Sequence, residues 1–477
     1  MSQAPPGSRV PAPDLPLLGA LYLVEISALF LVVVAGKSTA RSLLGSLLEP
    51  WGVVLVAASL AFLVGAAVVV RRYRTRGHRV PRQFGLTVLL NLIPLLAFLA
   101  VGEVAVRALS HPSPRGPMFR NMALLPWAWS DVLAHNRALL EQSSLKGSYL
   151  VADPQLGWAI RPSRRSADGL YFSSVEGLRS PEPGVALGES HPRHRVAIIG
   201  DSFTFGLEVG YADTWGRRLE QALGPDVQVL NFGVDGYGVD QAVLRYQRDV
   251  RSWRPDVVIL GLITHDLYRS MATYAFVSFP GWPFPFGKPR FVTEGDRLRL
   301  LNVPSISPEG ILAARSISEL PFVQYDAGYV AEEWRRSPLD VSYLYRFLVS
   351  KYRRWAEDYE ESALDARAAG LNREIVRMFI REVTAAGSVP LVVYFPSRVD
   401  FRRLHRVPGW QSVGQKMLRG GDIPHLDLTT CLGALDPDAR FGPQHYSARG
   451  NGAVADCLRG PVAALLSGER SPRSPGR

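Results

Sequence analysis

Five short apolar runs, interleaved with four stretches of helical spacing, constrain this chain more than any other feature of its 477 residues. They are "HRVAIIG" (194–200), "DVQVLNFG" (226–233), "PDVVILGLI" (255–263), "SVPLVVYFPS" (388–397) and "IPHLDL" (423–428). The first is a short apolar run, the pattern of a strand covered on both faces, and the others read as further strands. Between them, "ADTWGRRLEQALG" (212–224) has helical spacing and stops on Gly224, and "VDQAVLRYQRDVRSW" (239–253) forms a second helix. "NREIVRMFIREVTAAG" (372–387) predicts a third, with Asn372 as its cap, and a last helix runs from Ser447 to Leu466. Alternation of this kind predicts an α/β fold, a parallel sheet with helices on both faces in three α/β/α layers. A long insertion at about 267–370, rich in aromatics and prolines, interrupts it; the insertion either walls a substrate groove or caps the sheet.

The first hundred residues follow other rules. Leu15–Gly36, Trp51–Val70 and Phe84–Gly102 are apolar stretches, each near the ~20 residues a helix needs to cross a ~30 Å hydrocarbon core. Two further segments after the first argue against a cleaved signal peptide. Glu25, Asn91 and Glu103 are the polar intrusions, Glu103 at the expected interface and the others against neighbouring helices. The loop "RRYRTRGHRVPR" (71–82) carries six arginines and no acid, which keeps it cytoplasmic and sends everything after the third segment outside. Residues 1–110 are therefore expected to be an anchor of about three transmembrane helices, 111–193 a linker and packing region, 194–466 the main domain, and 467–477 a disordered tail. Within the second region, "HPSPRGP" (111–117) reads as irregular and "SYLVADPQLGWAIRPS" (148–163) as packing on the main domain. Outside the cytoplasm the two cysteines, Cys431 and Cys457, become a candidate disulfide; two buried thiols are the alternative. The formal charge of +11 comes mainly from arginine, with no aromatic-interleaved basic repeat or zinc-type spacing, so no nucleic-acid partner is expected.

The chemistry is expected in "VAIIGDSFTFG" (196–206). In doubly wound sheets ligands bind beyond the carboxyl ends of the strands, and Ser202 stands there. Gly200 and Gly206 permit a tight turn that presents its hydroxyl; an inert N-cap serine is the plain alternative. Three more stretches follow in order: "NFGVDGYGVDQ" (231–241), "GLITHDLYR" (261–269) and "QHYSARGN" (444–451). Together the four resemble the SGNH hydrolases, also called GDSL esterases, over roughly 194–466. The resemblance implies a flavodoxin-like three-layer domain that cleaves or transfers acyl groups without a cofactor. It implies Ser202 as nucleophile, His445 as base, and an oxyanion hole from the N–H groups of Ser202 and Gly236. The third oxyanion donor in the family is an asparagine; here His265 holds that position, and an imidazole N–H can still donate. The family's orienting aspartate, three residues before the histidine, is replaced by Gly442. Asp436 and Asp438 are the expected substitutes, with a backbone carbonyl as another option, and Asp201 is expected to support the turn. The N-terminal anchor, "DPQLGW" and "KPRF" further resemble bacterial membrane-anchored members.

The expectation is a multi-pass protein of the bacterial inner membrane whose catalytic domain faces outward. It would act as a serine esterase or O-acyltransferase on acyl esters of a cell-envelope glycan, with the lipid bilayer and that acylated substrate as partners. The rival reading is a catalytically degenerate glycan-binding or scaffold protein of an envelope assembly, for which His265 and Gly442 speak.

Overall fold

Strands that are hydrophobic throughout need cover on both faces, and the sheet has it. The computed structural model describes residues 15–38, 50–76, 84–145, 149–295 and 297–468. The tail 469–477, residues 77–83 of the basic loop and the Asn91 side chain lie outside the described residues. The chain divides into two units, Met1–Ala128 with Val330–Asp358, and Trp129–Tyr329 with Tyr359–Arg477.

In the second unit five parallel strands, β1 (His194–Ile199), β2 (Val227–Asn231), β3 (Val257–Leu262), β4 (Val389–Tyr394) and β5 (His425–Asp427), form one sheet in the order β5-β4-β3-β1-β2. Side chains alternate between its faces. Val196, Ile198, Val229, Ile259 and Val393 pack on Trp215, Leu219, Leu458 and Val462. Ala197, Ile199, Leu230, Leu260 and Val392 pack on Ala242, Val243, Ile375 and Phe379. This is the expected three-layer α/β/α arrangement. The strand order places the switch point at the carboxyl ends of β1 and β3, where a doubly wound sheet opens a crevice.

Two helices behave as their sequences ask. Trp215–Leu223 is capped by the Thr214 hydroxyl, which accepts from Arg217 N–H, and ends at Gly224. Ala448–Leu466 is capped by Ser447. A third does not: the helix expected to start at Asn372 runs from Tyr343 to Ala385. Residues 343–369 contain no Gly or Pro and many strong helix formers, so nothing stops it earlier. Asn372 is no cap. It is buried in mid-helix, and its Nδ2 donates to the carbonyls of Leu267 and Ala368. The insertion between β3 and β4 is held down by Lys288, fully buried, whose Nζ meets Asp240 Oδ2 at 2.5 Å and the carbonyls of Arg269 and Ala272. Cys431 and Cys457 form a disulfide with Cα atoms 6.2 Å apart.

In the first unit, helices Leu15–Ser38 and Pro50–Thr75 pack on each other. Ser27 and Ser59 meet between them, the Ser27 hydroxyl donating to the Ser59 carbonyl at 3.1 Å. Among the described residues one helix, Val53–Thr75, is long and apolar enough to cross a membrane by length and composition; Leu15–Ala28 is a shorter apolar helix. Glu103, near the end of the helix Phe84–Leu109, accepts N–H bonds from Tyr343 and Leu344 and the Ser342 hydroxyl. It satisfies orphan donors at the start of the long helix, which explains a carboxylate at the end of an apolar segment. The stretch "HPSPRGP" is a hairpin, Ser110–Ser113 with Gly116–Phe119, rather than an irregular linker. Pro112 faces Pro117 across the ladder. An antiparallel ladder tolerates such a pair where opposite residues exchange no hydrogen bonds.

Candidate active site

Strand β1 ends at Ile199, and Asp201 caps the single helical turn Ser202–Phe205 by accepting from Phe203 N–H at 2.9 Å. Ser202 leads that turn, 1 % exposed. Side chains from the next two elements clamp it. Asn231, ending β2, donates from Nδ2 to the Thr204 carbonyl at 3.0 Å. Trp215 donates from Nε1 to the Phe203 carbonyl at 3.0 Å, while its own N–H goes to Asn451 Oδ1. Asn451 Nδ2 in turn donates to the Tyr446 carbonyl at 3.0 Å. The serine turn and the loop before the last helix are thus tied through one tryptophan and one asparagine.

That tie brings His445 Nε2 to 2.9 Å from Ser202 Oγ. The other ring nitrogen, Nδ1, lies 3.0 Å from Glu208 Oε1. The Glu208 carboxylate also accepts N–H bonds from Gln444 and His445, at 3.0 and 3.2 Å. Burial raises the pKa of Glu208, but the bond from His445 and these two amides outweigh it, and the carboxyl rests below its ordinary range. With Nδ1–H directed at the carboxylate, Nε2 is left with a lone pair facing Ser202, the tautomer a general base needs.

Glu208 therefore fills the place expected of Asp436 or Asp438. Both aspartates are exposed, and Asp436 accepts from Asp438 N–H at the head of the one-turn helix Pro437–Arg440. Gly442 shows why the carboxylate comes from elsewhere. A Cβ on residue 442 would lie 2.8 Å from Glu208 Oε2, so the glycine makes the room the glutamate uses. Glu208 itself sits at φ 72°, unusual for a residue with a side chain. The Tyr171 hydroxyl accepts its N–H at 3.0 Å and helps hold it there. Two signals pointed to it in the sequence: the missing aspartate demanded a carboxylate, and "GLEVG" (206–210) lies in the loop beside the nucleophile.

Gly236 has φ 79°, and a side chain there would strike Phe284 and Trp158 at 2.8 and 3.2 Å. Its loop rests on Trp158 of the "DPQLGW" turn: the indole Nε1 donates to the Asp235 carbonyl at 2.9 Å, and Tyr237 Oη donates back to the Trp158 carbonyl at 2.6 Å. Asp201 does more than cap. Its Oδ2 pairs with Arg269 Nη1 at 3.0 Å, which also meets Asp266 Oδ1 at 2.8 Å. Burial and the Asp201 charge push the Asp266 carboxyl well up, against the pull of Arg269. His265 lies on an aromatic shelf, its ring 5.2 Å from Phe279 and 6.1 Å from Trp282. Desolvation by the packing around it, and then the Arg269 charge, bring its pKa down to about 4. The ring is neutral at pH 7, with one N–H to give.

Residues 196–281 match the family model of GDSL-like lipases and acylhydrolases. No curated protein matches the chain. Among solved structures it is similar to a lipase/acylhydrolase from Enterococcus faecalis, at 12 % identity and a TM-score of 0.29, over 59 % of this chain and 100 % of that one. It is similar to Axe2, an acetylxylan esterase from Geobacillus stearothermophilus, at 14 % identity and a TM-score of 0.29, over 56 % and 94 %. A carbohydrate acetylesterase family member from Sinorhizobium meliloti matches at 14 % identity and a TM-score of 0.27, over 57 % and 99 %. The family match takes in the Ser202 turn, the Gly236 loop and the His265 segment, so over these residues the chain carries a GDSL-like lipase/acylhydrolase domain.

Proposed function

We propose that the chain is an anchored enzyme that takes acyl groups from esters of a cell-envelope glycan and passes them to water or to a sugar hydroxyl. The observation that carries the reading is the hydrogen-bonded line Ser202–His445–Glu208. Ser202 Oγ attacks the ester carbonyl carbon, and its proton moves to His445 Nε2. Glu208 stabilises the imidazolium and stays ionised. The N–H groups of Ser202 and Gly236, with the His265 ring N–H as third donor, hold the oxyanion. On collapse the C–O bond to the alcohol breaks, and Nε2 returns the proton to the leaving oxygen. The acyl-enzyme on Ser202 is then released by a second hydroxyl, activated by the same imidazole.

Two features support the finer parts. Phe279 and Trp282 stack on each other at 4.6 Å beside His265, and Arg269 bridges the Trp282 ring to Asp201. A sugar can lay its C–H face on such rings. The apolar helix Val53–Thr75 and the arginine-rich loop after it support a membrane anchor with the domain outside the cytoplasm. A fluorophosphonate probe tests the central claim. It should label the folded protein on Ser202 and fail on Ser202→Ala and His445→Ala; labelling that persists in Ser202→Ala overturns the reading.

A further inference from the structure

A cavity of about 360 Å³ is walled by Tyr149, Tyr171, Phe205, Leu207 and Phe284 among others. Its volume falls within the range of small-molecule sites and far exceeds what an acetyl group fills. The loops that carry Ser202 and Gly236 contribute part of its wall. Phe205 ends the turn that Ser202 begins, Leu207 donates its N–H to the Ser202 carbonyl at 3.0 Å, and Asp235, which also lines it, precedes Gly236. The remaining walls come from outside the five-stranded core: residues 139–142, 149–171 and the insertion at 283–286.

The lining is mostly apolar, and the hydroxyls of its two tyrosines are engaged elsewhere. Tyr149 Oη donates to the Phe172 carbonyl, and Tyr171 Oη accepts from Glu208, so both phenols offer ring rather than hydroxyl. The rings are fixed from behind. Arg179, 1 % exposed, lies 4.5 Å from the centroids of both Tyr171 and Phe205, and Trp158 stacks on Phe284 at 5.1 Å. Asp235 is the one carboxyl in the lining. Burial pushes its pKa up, against Arg269, His445 and the Gly236 N–H, which favours an uncharged acid beside an apolar guest. Among the described residues no cation lines the cavity.

We propose that this cavity receives the acyl chain of the substrate, and that the group carried on Ser202 is an apolar chain of several carbons rather than acetyl. The inference rests on the esterase reading above. The test is a series of p-nitrophenyl esters from acetate to dodecanoate with the full-length protein in detergent. The specificity constant should rise about threefold to fourfold per methylene until the cavity is full, then fall. Ala167→Trp, at the exposed rim, should move the optimum to shorter chains. If the probe labels Ser202 but acetate is the best ester, or Ala167→Trp lowers all chain lengths alike, the cavity assignment fails while the hydrolase reading stands. If no ester is cleaved and no label is taken, the hydrolase reading fails. Titration of octanoate and acetate into Ser202→Ala by calorimetry then still decides the cavity: octanoate should bind at least tenfold more tightly, with the difference lost in Ser202→Ala/Ala167→Trp. Equal binding overturns it.

Discussion

Residue 442 and residue 208 compete for one place. The carboxylate of Glu208 occupies space that a side chain on Gly442 would enter, 2.8 Å from the built Cβ position. The orienting acid has moved from the loop that carries the histidine to the loop that follows the serine. This makes a reciprocal prediction. Glu208→Gln should keep the shape but lose the carboxylate that fixes the His445 tautomer, lowering kcat by up to about 10⁴ with KM little changed. Gly442→Asp alone should also impair, by colliding with Glu208. Glu208→Ala with Gly442→Asp should recover at least tenfold over Glu208→Ala, because the new acid then has both room and a histidine to orient. The interaction is read as the non-additivity of a double-mutant cycle in kcat/KM; a strictly additive cycle sinks the swap. The acid also has a stability signature. Its pKa is lower folded than unfolded, so its contribution is full above the unfolded value of about 4.3 and is lost as pH falls through the folded one. Denaturant titrations from pH 6 down to pH 3 should show wild type losing its advantage over Glu208→Gln across that window.

The elements that present the site differ in how plainly the sequence announces them. The hairpin Leu150–Asp153 with Gly157–Ile160 contributes no reacting atom, yet its Trp158 is fully buried under the Gly236 loop. Trp158→Phe keeps an aromatic ring against Phe284 but removes the Nε1 bond to the Asp235 carbonyl. Net stability should fall by about 1 kcal/mol, while kcat should fall further than that suggests, because a loosened Gly236 amide no longer meets the oxyanion. Thermal melts and kcat measured on the same sample separate the two; a kcat loss no larger than the melt accounts for would remove the hairpin from the site. The central strands were legible because strands buried on both faces are written as apolar runs, as in His194–Ile199 and Val257–Leu262. Ser202 and His445, which meet at 2.9 Å, were legible because one follows such a run and the other precedes a capped helix. Glu208 was not assigned, because a carboxylate acting across 237 residues of chain leaves no local spacing to read. The start of the long helix at Tyr343 was missed because a polar asparagine in mid-helix looks like a cap until its buried partners, Leu267 and Ala368, are seen.

At the scale of the whole chain, two separate features bear on the proposed placement of the catalytic unit outside the cytoplasm. One is the helix Val53–Thr75 followed by arginines. The other is the bond between Cys431 and Cys457, which closes the segment that contains His445. Disulfides persist in oxidising compartments and are reduced in the cytosol, so the bond and the proposed outward orientation stand or fall together. A loop of this length is worth about 2–4 kcal/mol when cross-linked, and here it also limits how far the imidazole can drift from Ser202. Membranes from cells expressing the full chain, lysed directly into an alkylating reagent, should yield protein whose two cysteines are unmodified until a reductant is added. Reduction of the purified protein should then lower its melting temperature by several degrees and reduce kcat more than KM. Two thiols alkylated at once, in protein that has never met a reductant, would mean that the domain folds on the cytoplasmic side, and the proposed envelope substrate would be out of its reach.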